Sequence, residues 1–501
     1  MKVIFLSFQV NTDVIGVKYL DAVIRAEGHE SHILLLPSEI SRDVQAALDH
    51  VVLQNPDVLC FSAMTYEYRR ARNFAQALRE RLPDRLAVFG GIHATSDPES
   101  CLEVADVVVR GEGEETLVEL LRVWEVDGRA GLGCIAGIAF KRDGQVIRTV
   151  ARPFIEDLDR LPPLRHLPKS LYVAYRGEIR SVREPEIYKK YARYQGTFLS
   201  VVSSRGCPFS CHYCCHSVYR DLYGRTAIRR RKPELVLEEI EQEVREFGNI
   251  LYVNFQDDCF MTHPLDWISA FCEGYAKRVG IPFIVRTTPA HITREKLLLL
   301  KKAGLRWVFA GLQTGSDRIN LEVYGRKVTA EQFLDAARIV ADLGLSAWYD
   351  VILDNPYETE CDHIETIEVL LRTPRPYQLD LFSLDFFPGS ELRRRAIVDQ
   401  IPVPEPGAKS NAQPEATMMN RYIRMSPTLP RSLVRRLVAI RGNSLGKALG
   451  IVAYALSLVM EPFVYLWMVH KSNDFRFGRT VRVFKAFYIT AFNDLLLRKQ
   501  G

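Results

Sequence analysis

Four cysteines fall within nine positions of the segment SSRGCPFSCHYCCHSVYRDLYG, Ser203–Gly224. Cys207, Cys211 and Cys214 are spaced C-x3-C-x2-C, and Cys215 follows directly. Thiolates are soft ligands suited to zinc, copper(I) and iron–sulfur clusters. Four chemistries compete for this loop. A structural zinc site closes four ligands around one ion, and Cys215 or His216 would have to supply the fourth. Adjacent cysteines rarely point at one ion. Covalent haem needs C-x-x-C-H, and Cys215 occupies the histidine position, so that reading fails. A thiol-redox pair fits poorly in so crowded a loop. The fourth chemistry is an iron–sulfur cluster on three thiolates. Four-cysteine ligation closes such a cluster, so three leave one iron open to a substrate.

The cysteines follow FLSVVSSRG (Phe198–Gly206), the first of six apolar runs. The others are NILYVNFQDD (Asn249–Asp258), IPFIVRTT (Ile281–Thr288), RWVFAGLQTG (Arg306–Gly315), LSAWYDVILD (Leu345–Asp354) and QLDLFSLDFF (Gln378–Phe387). Helical patterns such as KPELVLEEIEQEVREFG separate them. Six βα units predict a partial (β/α)6 TIM-type barrel over residues 196–395, with its chemistry at the carboxyl ends of the strands. Residues 1–130 alternate apolar runs such as KVIFLSF (Lys2–Phe8) and DVLCFSA (Asp57–Ala63) with helical patterns. This predicts an α/β fold with a doubly wound, Rossmann-like parallel sheet. Its strand ends, Ser62–Thr65, Gly90–Thr95 and Arg110–Glu115, are rich in small residues that let a ligand approach the backbone. Residues 131–195, with the hairpin-like GIAFKRDGQVIRTV and the proline-rich DRLPPLRHLP, read as a linking bridge.

The order RGCPFSCHYC resembles the signature of the radical S-adenosylmethionine (SAM) superfamily. The resemblance implies that Cys207, Cys211 and Cys214 hold a 4Fe-4S cluster. Its open iron would be chelated by the amino and carboxylate groups of SAM, which is cleaved to a 5′-deoxyadenosyl radical. It implies that Tyr213 lies beside the adenine and that Cys215 is not a ligand. GLQTGSDRI (Gly311–Ile319) is similar to the family's SAM-contacting segment, which makes Gln313, Gly315 and Ser316 contacts; Gln313 replaces the usual glutamate and keeps only a neutral acceptor. FQDDCF (Phe255–Phe260) brings Asp257 and Asp258 to the position that meets the methionyl amine. DFFPGSEL (Asp385–Leu392) resembles a sixth-strand ending of the same family.

A doubly wound sheet before such a barrel resembles the cobalamin-binding subgroup. There the strand ends border the corrin, which implies contacts from Ser62, Thr65, Gly90, Gly91, His93, Gly111, Glu112 and Gly113. The D-x-H-x-x-G loop that gives cobalt a histidine is missing; QVNTDVIGVKYL (Gln9–Leu20) stands in its place. No residue is therefore named as the lower ligand. The resemblance implies cobalamin-dependent methyl transfer to an unactivated carbon of a small metabolite, fed by an electron donor such as flavodoxin or ferredoxin. Radical cyclisation, oxidation or rearrangement without methyl transfer is the runner-up, and a non-catalytic zinc-binding scaffold is the alternative from another class.

The remaining expectations come from composition. A net charge of +5 over 501 residues makes no case for nucleic acid. Ten cysteines without a disulfide framework fit a reducing cytoplasm. The opening MKVIFLSF lacks a cleavage-like site and reads as a strand. Residues 405–501 are expected to be mainly helical, and Ala448–Val469 is nearly all apolar but interrupted by Glu461–Pro462. A kinked pair of buried helices leads, followed by an interfacial hairpin anchored by Tyr465 and Trp467, then a membrane span. Surface contact would favour a lipid-like substrate.

Overall fold

Val3, Phe5, Ile33, Leu35 and Val58 pack on one side of the first sheet, while Ile4, Leu6, Leu34 and Leu59 pack on the other. Successive side chains of a strand point to opposite faces. A sheet covered on both sides therefore needs apolar residues at consecutive positions, which is why these strands read as unbroken apolar runs. Each fully buried Val, Ile or Leu contributes about 1.5–3 kcal/mol relative to exposure. The computed structural model describes residues 1–405, 414–474 and 476–486.

Five parallel strands form the centre of this sheet, in the spatial order Val107–Val109, Leu86–Gly90, Val58–Ser62, Lys2–Ser7, Glu30–Leu35. The stretch expected as a linker instead widens the sheet to nine strands. Ile138–Arg142 and Gln145–Arg148 form a hairpin antiparallel to Val107–Val109. On the far edge Leu171–Tyr175 lies parallel to Glu30–Leu35 and carries Glu178–Ser181 outside it. An exposed strand edge presents unpaired N–H and C=O groups, and these short strands satisfy them on both sides.

The second sheet takes its six strands in chain order, all parallel: Phe198–Val201, Tyr252–Phe255, Phe283–Thr287, Leu305–Gln313, Ser346–Leu353 and Tyr377–Ser383. The first and last do not pair, so the barrel is partial, as expected. Outward residues such as Val253, Phe255, Val285 and Val351 lie under the helices. Inward residues near the amino ends, Phe198, Tyr252, Ile284 and Trp307, meet Tyr465, Met468 and Val469. Those three come from the helix Ser444–Ser472, whose carboxyl-terminal third stoppers the lumen from below. This leaves the carboxyl ends of the strands as the open end.

The helix Ser444–Ser472 corrects the expectation of a broken pair. It runs unbroken through Pro462, whose ring nitrogen leaves the Leu458 carbonyl without its helical donor. One stripe is buried, through Gly446, Gly450, Ala453, Ser457, Tyr465 and Met468, and packs against the helix Met418–Met425 and the barrel. The opposite side is open.

Candidate active site

The cysteine loop owes its path to two glycines. Gly206 adopts φ +101°, and a Cβ there would overlap the Ala227 carbonyl. Gly325 adopts φ +59°, and a Cβ there would overlap the His212 ring. Glycine takes such backbone angles without the strain a Cβ would add. At the root of the loop, Asp257 accepts from the Ser203 N–H at 3.2 Å, the Ser203 hydroxyl at 2.7 Å and the Ser204 hydroxyl at 2.5 Å. Its carboxylate is 1% exposed. Asp258 accepts from the Gly206 N–H at 3.0 Å and meets His216 Nε2 at 3.1 Å. Burial opposes a charge on His216, but the Asp258 carboxylate wins and raises its pKa to about 9. The His212 N–H donates to the Tyr324 carbonyl at 2.9 Å, and the Cys214 N–H to the Cys211 carbonyl at 2.9 Å, just before the helix Cys215–Tyr223.

Burial pushes the Cys207 thiol up and the Cys211 thiol up to about 11. Cys214 is shifted down, first because the Cys215 thiol donates to it. Buried thiolates need a cationic partner, and an iron–sulfur cluster supplies one. A tetrahedral zinc cage needs a fourth ligand beside the three thiolates, and His216, the spare nitrogen ligand, is engaged by Asp258. The donor set fits a cluster better than a zinc ion.

Two cavities meet this loop. The first, about 470 Å³, lies between the strand ends of the first sheet and the cysteines. Ser62, Gly90, Gly91, Gly111, Glu112 and Gly113 line it on one side, and Cys207, Cys215, His216 and Asp258 on the other. It continues inward past Phe5, Cys60, Val88 and Val109, along one face of the sheet. A Cβ on Gly90 would meet nothing within 4 Å, so its backbone is bare toward the cavity. Such an apolar cleft with glycine walls fits a large flat ligand with a tail reaching into the sheet. His216 is the only histidine among the lining residues, and it belongs to the barrel. Where the missing histidine loop would stand, Ile15 and Gly16 line the cleft, and Asp13 accepts from the Ser200 hydroxyl at 2.8 Å.

The second cavity, about 840 Å³, opens from the barrel lumen toward the carboxyl-terminal helices. Tyr213 and Gln313 line it beside Tyr66 of the first domain, and Arg421 and Arg424 lie at its far side. Asp350 and Asp380, directly paired across neighbouring strands, share its wall. Burial and then the Asp380 carboxylate raise the Asp350 pKa to about 7, against the pull of Arg286 and Arg326.

The B12 binding domain family model matches residues 1–121, and the radical SAM superfamily model matches residues 201–370. The chain belongs to the cobalamin-binding radical SAM family. It is 30% identical over 380 residues to the anaerobic magnesium-protoporphyrin IX monomethyl ester cyclase of Rubrivivax gelatinosus, covering 73% of this chain and 62% of that one. It is 26% identical over 397 residues to an uncharacterized methyltransferase of Pyrococcus horikoshii, covering 77% and 79%. The chain thus spans less than two thirds of the Rubrivivax cyclase, and 50% of the same-named cyclase of Cereibacter sphaeroides. In fold it matches the cobalamin-dependent SAM radical enzyme OxsB with a TM-score of 0.66 at 15% identity, covering 100% of this chain and 79% of that one.

Within this radical SAM chain, the residues singled out by resemblance divide into walls and framework. Tyr213 and Gln313 face the second cavity, whereas Gly315 and Ser316 do not. A Cβ on Gly315 would stand 2.5 Å from Thr366 Cα, and the Ser316 hydroxyl donates to Asp362 at 2.6 Å. Both fasten the strand to the helix Glu360–Arg372. Asp257 holds the loop, and Asp258 faces the first cavity instead of the second. Thr65 and His93 sit behind the first cavity's wall: the His93 ring stacks on Tyr68 at 4.0 Å, with Thr65 Oγ1 at 3.4 Å and Ser100 Oγ at 3.3 Å. Burial lowers its pKa to about 4. Glu112 reaches the cavity but turns its carboxylate to Arg229 at 2.7 and 2.8 Å and Arg205 at 3.3 Å. The Asp350–Asp380 pair escaped the sequence reading; its signal is the inward position of both aspartates in strands of alternating pattern.

Proposed function

We propose that this chain is a cobalamin-dependent radical SAM enzyme that transfers a methyl group to an unactivated carbon of a small metabolite. One observation carries the reading: a single loop serves both chambers, with Cys207 and Cys215 on the first and Tyr213 on the second. Cys207, Cys211 and Cys214 would hold the 4Fe-4S cluster, Tyr213 and Gln313 would contact SAM, and Ser62, Gly90, Gly91, Gly111 and Gly113 would border cobalamin. When bound, these groups supply a radical that breaks a C–H bond having no useful pKa, and a methyl group to replace the hydrogen.

The chain's own residues position and shield that chemistry. Asp257 and the His212–Tyr324 bond fix the loop from opposite ends. Tyr66, reaching over from the first domain, and Tyr213 flank the second chamber. Asp350 and Asp380 offer paired acceptors that would orient a hydrogen-bond donor or cation on the substrate. An electron donor of the flavodoxin or ferredoxin type is required.

Radical cyclisation or oxidation without methyl transfer is the second reading, favoured by the cyclase names among the relatives. There Asp350, with its pKa near neutrality, would accept the proton that an oxidative step releases. Anaerobic reconstitution with iron, sulfide, cobalamin and SAM carrying a labelled methyl group separates the two. Label in product together with S-adenosylhomocysteine and 5′-deoxyadenosine supports methyl transfer. 5′-Deoxyadenosine without methyl consumption supports the second reading. A protein that binds zinc in place of iron and sulfide refutes both.

A further inference from the structure

Every exposed residue of the helix between Ala448 and Trp467 is apolar. Leu449, Val452, Leu456, Val459, Phe463 and Trp467 recur every three or four positions, so they form one stripe along the helix. Val452 is 67% exposed, Val459 63% and Phe463 69%. Soluble monomers rarely leave an apolar patch of this extent uncovered.

The charges around it identify what covers it. Between residues 421 and 486 the sequence holds twelve Lys and Arg against two carboxylates, Glu461 and Asp474, in a chain whose net charge is only +5. Arg436 and Lys447 near one end of the helix, and Arg476, Arg482 and Lys485 beyond the other, are exposed and have no carboxylate partner among the described residues. A second copy of this chain would bring the same positive charge against itself. An anionic lipid surface offers acyl chains to the stripe and headgroups to its basic flanks. Trp467 stands at the end of the stripe, where an aromatic ring suits the water–lipid boundary.

We propose that this face of the helix Ser444–Ser472 docks the protein on anionic membranes, lying in the surface and not crossing it. Crossing would require stripping the opposite stripe, which is packed on Tyr422, Met418 and the barrel floor. Tyr454 and Glu461 of the same helix line the second cavity, so docking sets that chamber close to the headgroups. The inference stands independently of the chemistry assigned to the cavities.

The test is co-sedimentation of the purified full chain with vesicles. Mixed phosphatidylcholine–phosphatidylglycerol vesicles should bind it, pure phosphatidylcholine should bind it more weakly, and added salt should weaken binding. The double substitution Val452→Glu, Val459→Glu should lower binding at least about tenfold with the unfolding temperature unchanged. Brominated phosphatidylcholine in the mixed vesicles should quench wild-type emission by an amount lost in Trp467→Phe, a readout that does not depend on the double variant folding. Failure of the wild type to sediment with mixed vesicles, or absence of Trp467 quenching, overturns the proposal. So does a vesicle-free dimer that the double substitution splits. A fall in unfolding temperature in that variant also overturns it, because the stripe would then be packed within the folded chain.

Discussion

Glu112 offers a clean test because resemblance and structure give it different work. Resemblance implies a border of the corrin site; the structure makes it a strut between the first domain and the barrel. Its carboxylate accepts from Arg229, whose side chain is 5% exposed, from Arg205, and from the Ile155 N–H at 2.9 Å. Removing one partner from a buried ion pair costs about 3–5 kcal/mol, because the other charge is left unpaired. Glu112→Ala strands the Arg229 guanidinium, while Arg205 keeps Glu114, and should cost about that much, a fifth or more of a typical domain's stability of about 5–15 kcal/mol. Glu112→Gln keeps the size and one acceptor and should cost about 1.5–3 kcal/mol. Burial resists the Glu112 charge, but Arg229 and Arg205 outweigh it and hold the pKa below the ordinary value. A carboxylate lowered in the folded state stabilises fully above its unfolded pKa of about 4.3, and that stabilisation is lost as pH falls through the folded value. The gap between wild type and Glu112→Gln in urea unfolding should therefore be flat from about pH 6 to 8 and close below about pH 4. An unchanged urea midpoint combined with lost cobalamin binding would refute the strut and restore the cofactor contact.

Cys211→Ala should abolish SAM cleavage in the reconstituted protein, whereas Cys215→Ala should retain it; 5′-deoxyadenosine formation by each variant checks both, and undiminished cleavage by Cys211→Ala defeats the cluster assignment. Gly206→Ala adds a left-handed strain of about 1–2 kcal/mol to an overlap with the Ala227 carbonyl. It should lower iron content at least twofold with unchanged circular dichroism, and full iron loading would contradict the loop geometry. Asp350 carries a raised pKa, so its ionisation costs stability as pH climbs from the unfolded value of about 3.9 to the folded value of about 7. Asp350→Asn should therefore stabilise the ligand-free protein by roughly 1–3 kcal/mol at pH 8 and by little at pH 4; equal unfolding temperatures at both pH values would show that the aspartate is not strained.

The parts that were legible in sequence are local. The three cysteines of the C-x3-C-x2-C spacing sit within eight residues of one another, and apolar runs announce strands without reference to any partner. The parts that were not legible depend on distant chain segments. Glu112 is recognised as a strut only through Arg205 and Arg229, 93 and 117 residues away. Asp350 and Asp380 become a pair only through the register of two strands. His93 and Gly315 carry the right letters for ligand contacts, yet the backbone turns one into the core and presses the other on a helix. In the bridge the hairpin was legible, but its place in the sheet was not: short edge strands gain their identity from the sheet they complete.

Arg205 joins the legible and the illegible. It lies two residues before Cys207, and its guanidinium bonds Glu112 at 3.3 Å and Glu114 at 2.7 Å while covering the Tyr19 ring at 4.9 Å. The carboxylates and the ring all belong to the first domain. The root of the cysteine loop is thus clamped on one side by Asp257 of the barrel and on the other by an ion network of the neighbouring sheet. A thiol loop held from one side could close on its own domain; held from both, it keeps a fixed place between the two chambers. Chemistry that passes a group from one chamber to the other needs that fixed spacing, since a displacement of about 1 Å can cost about a hundredfold in rate. In the proposed methyl transfer the ion network would set the reaction geometry as well as stabilise the fold.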